Sequence, residues 1–272
     1  MEERGLLELF PAEGGVAVAY SGGVDSTLVA HLARMRNPAG ALAVTVISPL
    51  SASREVERAR RLARDLGLRH LELELNELAD GRVAANHPLR CYHCKKLRYQ
   101  ALREVARDLG IETIMDGSNA DDASQDRPGR RAAQELGVRS PLEEAGLGKG
   151  DVRRLARKLG LPNWDAPSRP CLATRFPVGH RLSVEEIRRV EEGESLLEAE
   201  GFREFRLRSP EPGVALLEIS PEEMPALDHR PLVDSLVSRL KGMGFRAVLL
   251  DLDGYRTGSM ERKAARRVRE LG

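Results

Sequence analysis

The sequence predicts an α/β fold in which a parallel sheet is followed by a second, smaller α+β domain. Four apolar runs in the first half have the composition of buried strands: 15–21, 41–49, 69–75 and 113–118. Segments between them space Leu, Val and Ala at helical intervals and end at Gly: 55–67 and 97–110. Strands that alternate with helices indicate βαβ units, and hence a parallel sheet with helices on both faces.

The second half of the chain has a different pattern. A helix at 149–160 is followed by an irregular segment, 161–183, whose prolines exclude regular structure. We therefore place a domain boundary there and expect two domains, 1–165 and 166–272. The second domain is predicted to contain helices and strands in this order: helix 184–200, strands within 202–209 and 213–220, a helix near 230–242 and a strand at 246–254.

Composition limits the classes of function. The 272 residues include 43 basic and 42 acidic side chains, so no global charge favours nucleic acid or an anionic membrane as a partner. No apolar run approaches the ~18 residues of a membrane span, and we expect a cytoplasmic protein. The chain has three cysteines, an odd number. In a reducing compartment, this favours thiols, a metal or a cluster over disulfides.

The turn Ser21-Gly22-Gly23-Val24-Asp25-Ser26 follows the first predicted strand and begins a helix. Glycines allow backbone N–H groups to approach an anion, and a helix N-terminus adds partial positive charge, so this geometry favours phosphate. The turn is neither a Walker loop nor a G-x-G-x-x-G fingerprint. The alternative is an ordinary glycine-rich turn in which Asp25 or Ser26 caps the helix.

Two adjacent carboxylates, Asp121 and Asp122, follow the fourth predicted strand. Open α/β sheets bind ligands at the carboxyl ends of their strands. A Mg²⁺ ion bound to phosphate takes one or two carboxylates besides substrate and water, which makes Asp122 a candidate ligand. An Asx-rich turn with solvated acids is the alternative.

Taken together, several strings in the chain resemble a known family. The turn at 21–26 resembles the PP-loop of the ATP pyrophosphatase superfamily, whose members cleave ATP between the α and β phosphates and leave AMP on a substrate oxygen. Between about residues 15 and 260, further strings resemble the LarE family of ATP-dependent sulfur transferases, in this order: GSNADD, RPG, SPL, DVRRLARKLGLP, PSRPCLATRFPVG and GYRTGSM.

The resemblance implies an adenine nucleotide α-hydrolase-like PP-loop domain and a defined reaction. A carboxylate of a pyridinium mononucleotide is adenylated with release of pyrophosphate, and a sulfur nucleophile then displaces AMP to give a thiocarboxylate. The product matures into the nickel pincer nucleotide that serves lactate racemase. The resemblance also implies ATP and Mg²⁺ as cofactors and a homo-oligomer. Domain 166–272 would contribute to substrate binding and oligomerisation, and the sulfide donor is not identified by the sequence.

By the same resemblance, the PP-loop residues hold pyrophosphate: Ser21, Gly22, Gly23, Asp25 and Ser26. Asp25 would also help to position Mg²⁺ and thus act in catalysis.

Cys171 matches the family's sulfur-bearing position. In some members this cysteine gives up its own sulfur, and in others three cysteines bind a [4Fe-4S] cluster whose open iron carries an exchangeable sulfide. Cys91 and Cys94 lie in a segment that we expect to be a loop facing the same crevice. Since three thiolates leave one iron free, we predict that Cys91, Cys94 and Cys171 hold such a cluster. A structural zinc site that includes His87 or His93, or unligated thiols, are the alternatives.

Arg206 and Arg208 alternate along a predicted strand, so their side chains share one face, and guanidinium forks suit phosphate. By resemblance, these two arginines and the helical Glu194 bind the substrate nucleotide. The alternative is a set of solvated charges on an edge strand.

Three other functions remain open from the sequence. A PP-loop tRNA thiolase would usually have a basic surplus, and an amide-forming synthetase that uses glutamine would need a glutaminase-like segment. Neither feature is present in this sequence. The non-enzymatic alternative is an ATP-binding regulator with a structural zinc site.

Overall fold

The computed structural model describes residues 3–123, 128–167 and 169–255. The GYRTGSM string lies largely outside these residues, as does Arg127 of the RPG string. The chain divides into two compact units, Met1–Cys171 and Leu172–Gly272. This division lies after the boundary that we predict at 165/166. The proline-rich segment bonds to the first unit, for example where Arg153 donates to the Ala166 carbonyl at 3.2 Å.

The first unit is a parallel sheet with flanking helices, which confirms the predicted fold class. Its strands run in the order β3-β2-β1-β4, and all three pairings are parallel. The elements are α1 (Glu3–Leu7), β1 (Val16–Ala19), α2 (Val24–Arg36), β2 (Ala41–Ile47), α3 (Ser53–Asp65), β3 (His70–Glu74), α4 (Gly81–Ala84), α5 (Arg90–Asp108), β4 (Thr113–Met115), α6 (Ala120–Ala123), α7 (Pro128–Glu135), α8 (Pro141–Glu144) and α9 (Lys149–Lys158).

The apolar pattern explains how this sheet is covered. Val16 and Val18 of β1 pack in one cluster with Leu28 and Leu32 of α2, and Ala17 packs in another cluster beneath α5. The central strand is therefore buried on both faces, as parallel strands require. Because the strands are parallel, their carboxyl ends meet at one edge, where the polar segments 21–26 and 116–122 follow β1 and β4.

The helix that we predict at 97–110 begins earlier, at Arg90. Cys91 and Cys94 therefore lie in its first turns, and the expectation that they lie in a loop was wrong. Residues 90–96 are mostly polar and show no apolar periodicity, so the sequence gives no helix signal there. The helix places these two cysteines three residues apart, on one face.

The second unit is a small α+β structure, as predicted. Its three-stranded sheet has the order β5-β6-β7, with β5 antiparallel and β7 parallel to β6. Its elements are a 3₁₀ turn (Leu172–Arg175), α10 (Val184–Ala199), β5 (Phe205–Arg208), β6 (Val214–Ile219), a second 3₁₀ turn (Met224–Asp228), α11 (Arg230–Gly242) and β7 (Ala247–Leu250). Across the described parts of both units, no helix combines the length and hydropathy needed to span a membrane.

Candidate active site

A cavity of about 420 Å³ lies at the carboxyl ends of the strands of the first unit. Its walls come from the β1–α2 turn, the end of β2, α5, the segment after β4 and the chain just before Cys171. The lining residues include Ser21, Gly23, Asp25, Ser26, Lys95, Tyr99, Asp116, Gly117, Asp122, Lys149 and Cys171. The structure thus brings the predicted phosphate loop, one predicted Mg²⁺ ligand and the predicted sulfur-bearing cysteine to one cavity.

The first and last serines of the PP-loop are bonded to each other. Ser26 Oγ accepts from the Ser21 backbone N–H at 3.2 Å and lies 3.1 Å from Ser21 Oγ. Gly22 has φ +72°, and a Cβ there would lie 2.8 Å from Ala59 Cα, so only glycine fits. Gly23 precedes α2 with extended backbone, and in this described turn it receives no side-chain cap. The first N–H groups of α2 are therefore available to an anion. In the alternative, a capped turn, a side chain would already occupy them.

Asp25 is held by two residues that the sequence reasoning missed. Lys149 Nζ forms an ion pair with Asp25 Oδ2, and Asn119 Nδ2 donates to Asp25 Oδ1 at 3.3 Å. The Asn119 backbone N–H donates to Asp122 Oδ2 at 3.2 Å, so Asn119 links Asp25 and Asp122, the two carboxylates predicted to act on Mg²⁺. Asp121 instead accepts from the Lys149 backbone N–H at 2.8 Å, which fixes the start of α9.

Asn163 is a third residue that the sequence reasoning missed. Its buried amide donates to the Gly22 carbonyl and to Thr27 Oγ1, both at 3.0 Å. Asn163 lies in the proline-rich segment that ends at Cys171, so this segment supports the PP-loop directly. No sequence signal identifies it, because an isolated polar residue in a loop has no periodicity.

Asp116 is a buried residue that lines the cavity and contacts Tyr99 of α5. Burial alone would raise the pKa of Asp116, but the charge of Lys95 and hydrogen bonds from Tyr99 and Ser140 hold the pKa below its usual value. Tyr99 Oη donates to Asp116 Oδ2 at 2.5 Å and Ser140 Oγ donates to Asp116 Oδ1 at 2.7 Å. The carboxylate therefore stays charged and fixes the segment that follows β4.

Two of the three cysteines contact a buried arginine, and the third contacts a buried glutamate. Arg90 Nη2 donates to Cys91 Sγ at 3.6 Å and to Cys171 Sγ at 4.0 Å. Cys94 Sγ instead donates to Oε1 of the buried Glu77 at 3.6 Å, and burial raises the pKa of Cys94 to about 12. These described thiols form no disulfide.

The arrangement of possible metal ligands can be compared with the predicted cluster and with the zinc alternative. Within residues 3–123, 128–167 and 169–255, no three His, Cys, Asp or Glu side chains are already arranged to hold a metal ion. The three cysteines nevertheless lie in one region: Cys91 Sγ and Cys171 Sγ lie within 4.0 Å of the same Arg90 nitrogen, and Cys94 follows Cys91 on the same helix. Of the histidines considered for zinc, His87 Nδ1 already accepts from the Leu89 backbone N–H at 3.0 Å.

The remaining predicted site residues lie in the second unit. Arg208 Nε donates to Glu218 Oε1 at 2.6 Å, and the Arg206 guanidinium lies 4.9 Å from the centre of the Tyr255 ring. Glu194 forms an ion pair with Arg175. Although β5 is an edge strand, Arg206 and Arg208 are largely buried, so they are not solvated charges.

Comparison with known proteins agrees with this geometry. The asparagine synthase family model matches residues 12–110, the part that contains the PP-loop. "Uncharacterized protein slr1717" of Synechocystis sp. is 40% identical over 90% of this chain and 91% of its own length. The pyridinium-3,5-bisthiocarboxylic acid mononucleotide synthase of Lactiplantibacillus plantarum is 37% identical over 90% of this chain and 88% of its own length. The chain belongs to the LarE family.

Membership in the LarE family confirms the predicted enzyme class, an ATP-dependent sulfur transferase. A tRNA-specific 2-thiouridylase MnmA from Rhizobium leguminosarum bv. trifolii is more distant, with 28% identity over 56% of this chain and 48% of its own length. The likeness to a tRNA thiolase is therefore partial, whereas the likeness to the LarE relatives covers most of both chains.

Proposed function

We propose that this protein adenylates a carboxylate of a pyridinium mononucleotide with ATP, releases pyrophosphate, and replaces the AMP with sulfur. The product is a thiocarboxylate on the path to the nickel pincer nucleotide. One observation carries this proposal: Cys171 lines the same cavity as Ser21 and Asp25 of the PP-loop. A carboxylate activated at the PP-loop would thus meet a sulfur-bearing residue without leaving the cavity.

In the first step, the PP-loop binds the pyrophosphate part of ATP. The N-terminus of α2 and the hydroxyls of Ser21 and Ser26 supply donors to the phosphate oxygens. Asp25 and Asp122 supply the hard oxygen ligands that Mg²⁺ prefers, and both lie in the cavity. Lys149, which pairs with Asp25, adds a positive charge where the leaving pyrophosphate gathers negative charge.

In the second step, sulfur attacks the mixed anhydride. We propose that Cys91, Cys94 and Cys171 hold a [4Fe-4S] cluster. Their soft thiolates suit iron, and the buried charge of Arg90 offsets an anionic group beside them. When bound, such a cluster would supply an open iron for an exchangeable sulfide. The activated carboxylate would lie in the cavity that Cys171 lines, and hence close to this sulfur.

The substrate nucleotide carries a phosphate, for which Arg206 and Arg208 of the second unit are the proposed ligands. Glu194 lies on the same part of that unit. We further propose that the second unit contributes to a homo-oligomer, and that the protein acts in the cytoplasm, where ATP is available.

The function is tested by offering the anaerobic protein ATP with one of three acceptors: a pyridinium-carboxylate mononucleotide, tRNA, or a carboxylate with ammonia. We expect pyrophosphate release and a thiocarboxylate, detected by mass spectrometry, with the mononucleotide alone. Thiolated tRNA would support the thiolase, and an amide product would support the synthetase. ATP binding without cleavage for every acceptor would support a regulator instead.

The cluster is tested separately by iron and acid-labile sulfide analysis. We expect Cys91→Ala and Cys94→Ala to lose iron and sulfide together, because a cubane held by two thiolates exposes two irons. The variants should then complete at most one turnover, even with excess sulfide. If Cys171 were the sacrificial donor, both variants would behave like wild type, and used wild-type protein would contain dehydroalanine at 171. A structural zinc would give a colourless protein that unfolds with a chelator.

A further inference from the structure

At the outer edge of the second-unit sheet, two backbone N–H groups bond to one side chain and one backbone carbonyl from outside the sheet. Among the described strands, β5 pairs with β6 only, so its other edge points away from the sheet. On that edge, the Leu207 N–H donates to Glu194 Oε1 at 3.4 Å, and the Ser209 N–H donates to the Arg175 carbonyl at 2.9 Å. Edge N–H groups normally bond to water, so these two contacts fix a strand that would otherwise be loosely held.

Glu194 and Arg175 form a bidentate ion pair beneath this edge. Arg175 Nε donates to Glu194 Oε1 at 2.8 Å, and Arg175 Nη2 donates to Glu194 Oε2 at 3.1 Å. Arg175 is 2% exposed and Glu194 is 1% exposed. A carboxylate that is so deeply buried and bonded to an arginine fork has little access to a diffusing ligand, so Glu194 is better suited to supporting other residues.

The pair supports the two predicted phosphate ligands, which flank Leu207 on β5. Arg208 Nη1 donates to the carbonyl of Thr174, the residue next to Arg175, at 2.8 Å. Arg206 is 9% exposed, lies over the Tyr255 ring, and forms no ion pair within the described residues. Beside Arg206, Arg175 pairs with Glu194 and Arg208 pairs with Glu218.

We propose that Arg175 and Glu194 are positioning residues that hold β5 so that Arg206 and Arg208 can bind the phosphate of the nucleotide substrate. This inference rests on the proposed function, in which those two arginines are the phosphate ligands. It assigns Glu194 to the support of β5 rather than to contact with the substrate. Arg175 lies in the PSRPCLATRFPVG string, but the sequence analysis gave it no role.

The test is steady-state pyrophosphate release by Glu194→Gln and Arg175→Lys, with the pyridinium mononucleotide varied. Both changes keep the approximate size of the side chain and remove the charge pair or the fork. We expect KM for the mononucleotide to rise roughly tenfold or more, with kcat within about twofold, because the lost alignment weakens binding to a charged group. KM for ATP should stay unchanged, since ATP binds in the first unit.

Glu185→Gln is the matched control. It removes a carboxylate from the same helix, where Glu185 pairs with Arg189 at 2.7 Å but is 82% exposed. An exposed pair contributes little, so this variant should match wild type in KM and in thermal melting. A Glu194→Asp variant keeps the charge and should recover part of the loss. It also serves as the test variant if Glu194→Gln fails to fold, because its shorter side chain should then raise KM.

Arg206→Ala distinguishes failure of the proposed phosphate site from failure of the positioning role. If Arg206→Ala leaves KM for the mononucleotide unchanged, the proposed phosphate site is wrong and this inference fails with it. If Arg206→Ala raises KM while the folded Arg175→Lys and Glu194 variants do not, the phosphate site stands and the positioning role is wrong. A parallel rise in KM for ATP in the Arg175 and Glu194 variants would also overturn it, because that result indicates general loss of structure.

Discussion

Replacement of Gly117 with alanine should impair ATP use, because Gly117 lies against the PP-loop. A Cβ at Gly117 would lie 2.6 Å from the Ser26 backbone N, 2.9 Å from the Asp25 carbonyl carbon and 3.0 Å from Ser26 Cα. All three contacts are with backbone, so no side chain can rotate to relieve them. The loop or the segment after β4 must shift instead, and the phosphate-binding N–H groups at the start of α2 would shift with it.

The size of the effect follows from the cost of overpacking. Forcing one extra methyl group into a filled site costs about 1–3 kcal/mol. If this cost appears when the loop closes on pyrophosphate, kcat/KM for ATP should fall by roughly 5-fold to 150-fold. The assay is pyrophosphate release at a saturating concentration of the mononucleotide with ATP varied.

Gly81→Ala is the control for the same chemical change in the same unit. A Cβ at Gly81, at the start of α4, meets nothing within 4 Å. This variant should keep the wild-type kcat/KM and gain slightly in stability, because alanine favours helix. A Gly117→Ala protein whose kcat/KM for ATP lay within about twofold of the Gly81→Ala value would refute the argument that this contact shapes the PP-loop.

Three further changes give predictions. Asn163→Ala should raise KM for ATP by roughly 3-fold to 30-fold, since it removes two hydrogen bonds of the PP-loop, and a melt should show a folded protein. Gly22→Ala should unfold at lower temperature than Gly14→Ala; both have positive φ, but a Cβ at Gly14 meets nothing within 4 Å. Asp116→Asn should destabilise the protein at pH 7. Because the pKa of Asp116 is lowered in the folded protein, its stabilisation is complete above about pH 4 and is lost as the pH falls further. The difference in melting temperature from wild type should therefore shrink in acid.

The sequence predicted the order of elements because each one carries its own local signal. β1 and β2 are continuous apolar runs, and α3 buries Val56, Ala59 and Leu62 at helical spacing. The start of α5 has no such signal, because its first turns carry Arg90, the two cysteines and two lysines rather than apolar side chains that pack in the core. A helix that begins with polar residues was therefore predicted too short, and Cys91 and Cys94 were expected in a loop.

The same dependence on local signals explains why only some of the candidate site residues could be predicted. Ser21–Ser26 and Cys171 lie in compact strings that carry their chemistry locally. Lys149, Asn119 and Asn163 act through contacts with residues far away in the chain, as in the ion pair that joins Lys149 to Asp25. Such contacts follow from the packing of α9 and the proline-rich segment, which no local pattern encodes.

The central claim is that one cavity adenylates the substrate at the PP-loop and then transfers sulfur at Cys171. The most direct test compares pyrophosphate and thiocarboxylate formation in one anaerobic turnover of Cys171→Ala and Asp25→Ala. We predict that Cys171→Ala releases pyrophosphate, accumulates the adenylated mononucleotide and forms no thiocarboxylate, while Asp25→Ala releases no pyrophosphate. If a folded Cys171→Ala protein released no more pyrophosphate than Asp25→Ala, or formed thiocarboxylate at the wild-type yield, the two-step account would be contradicted.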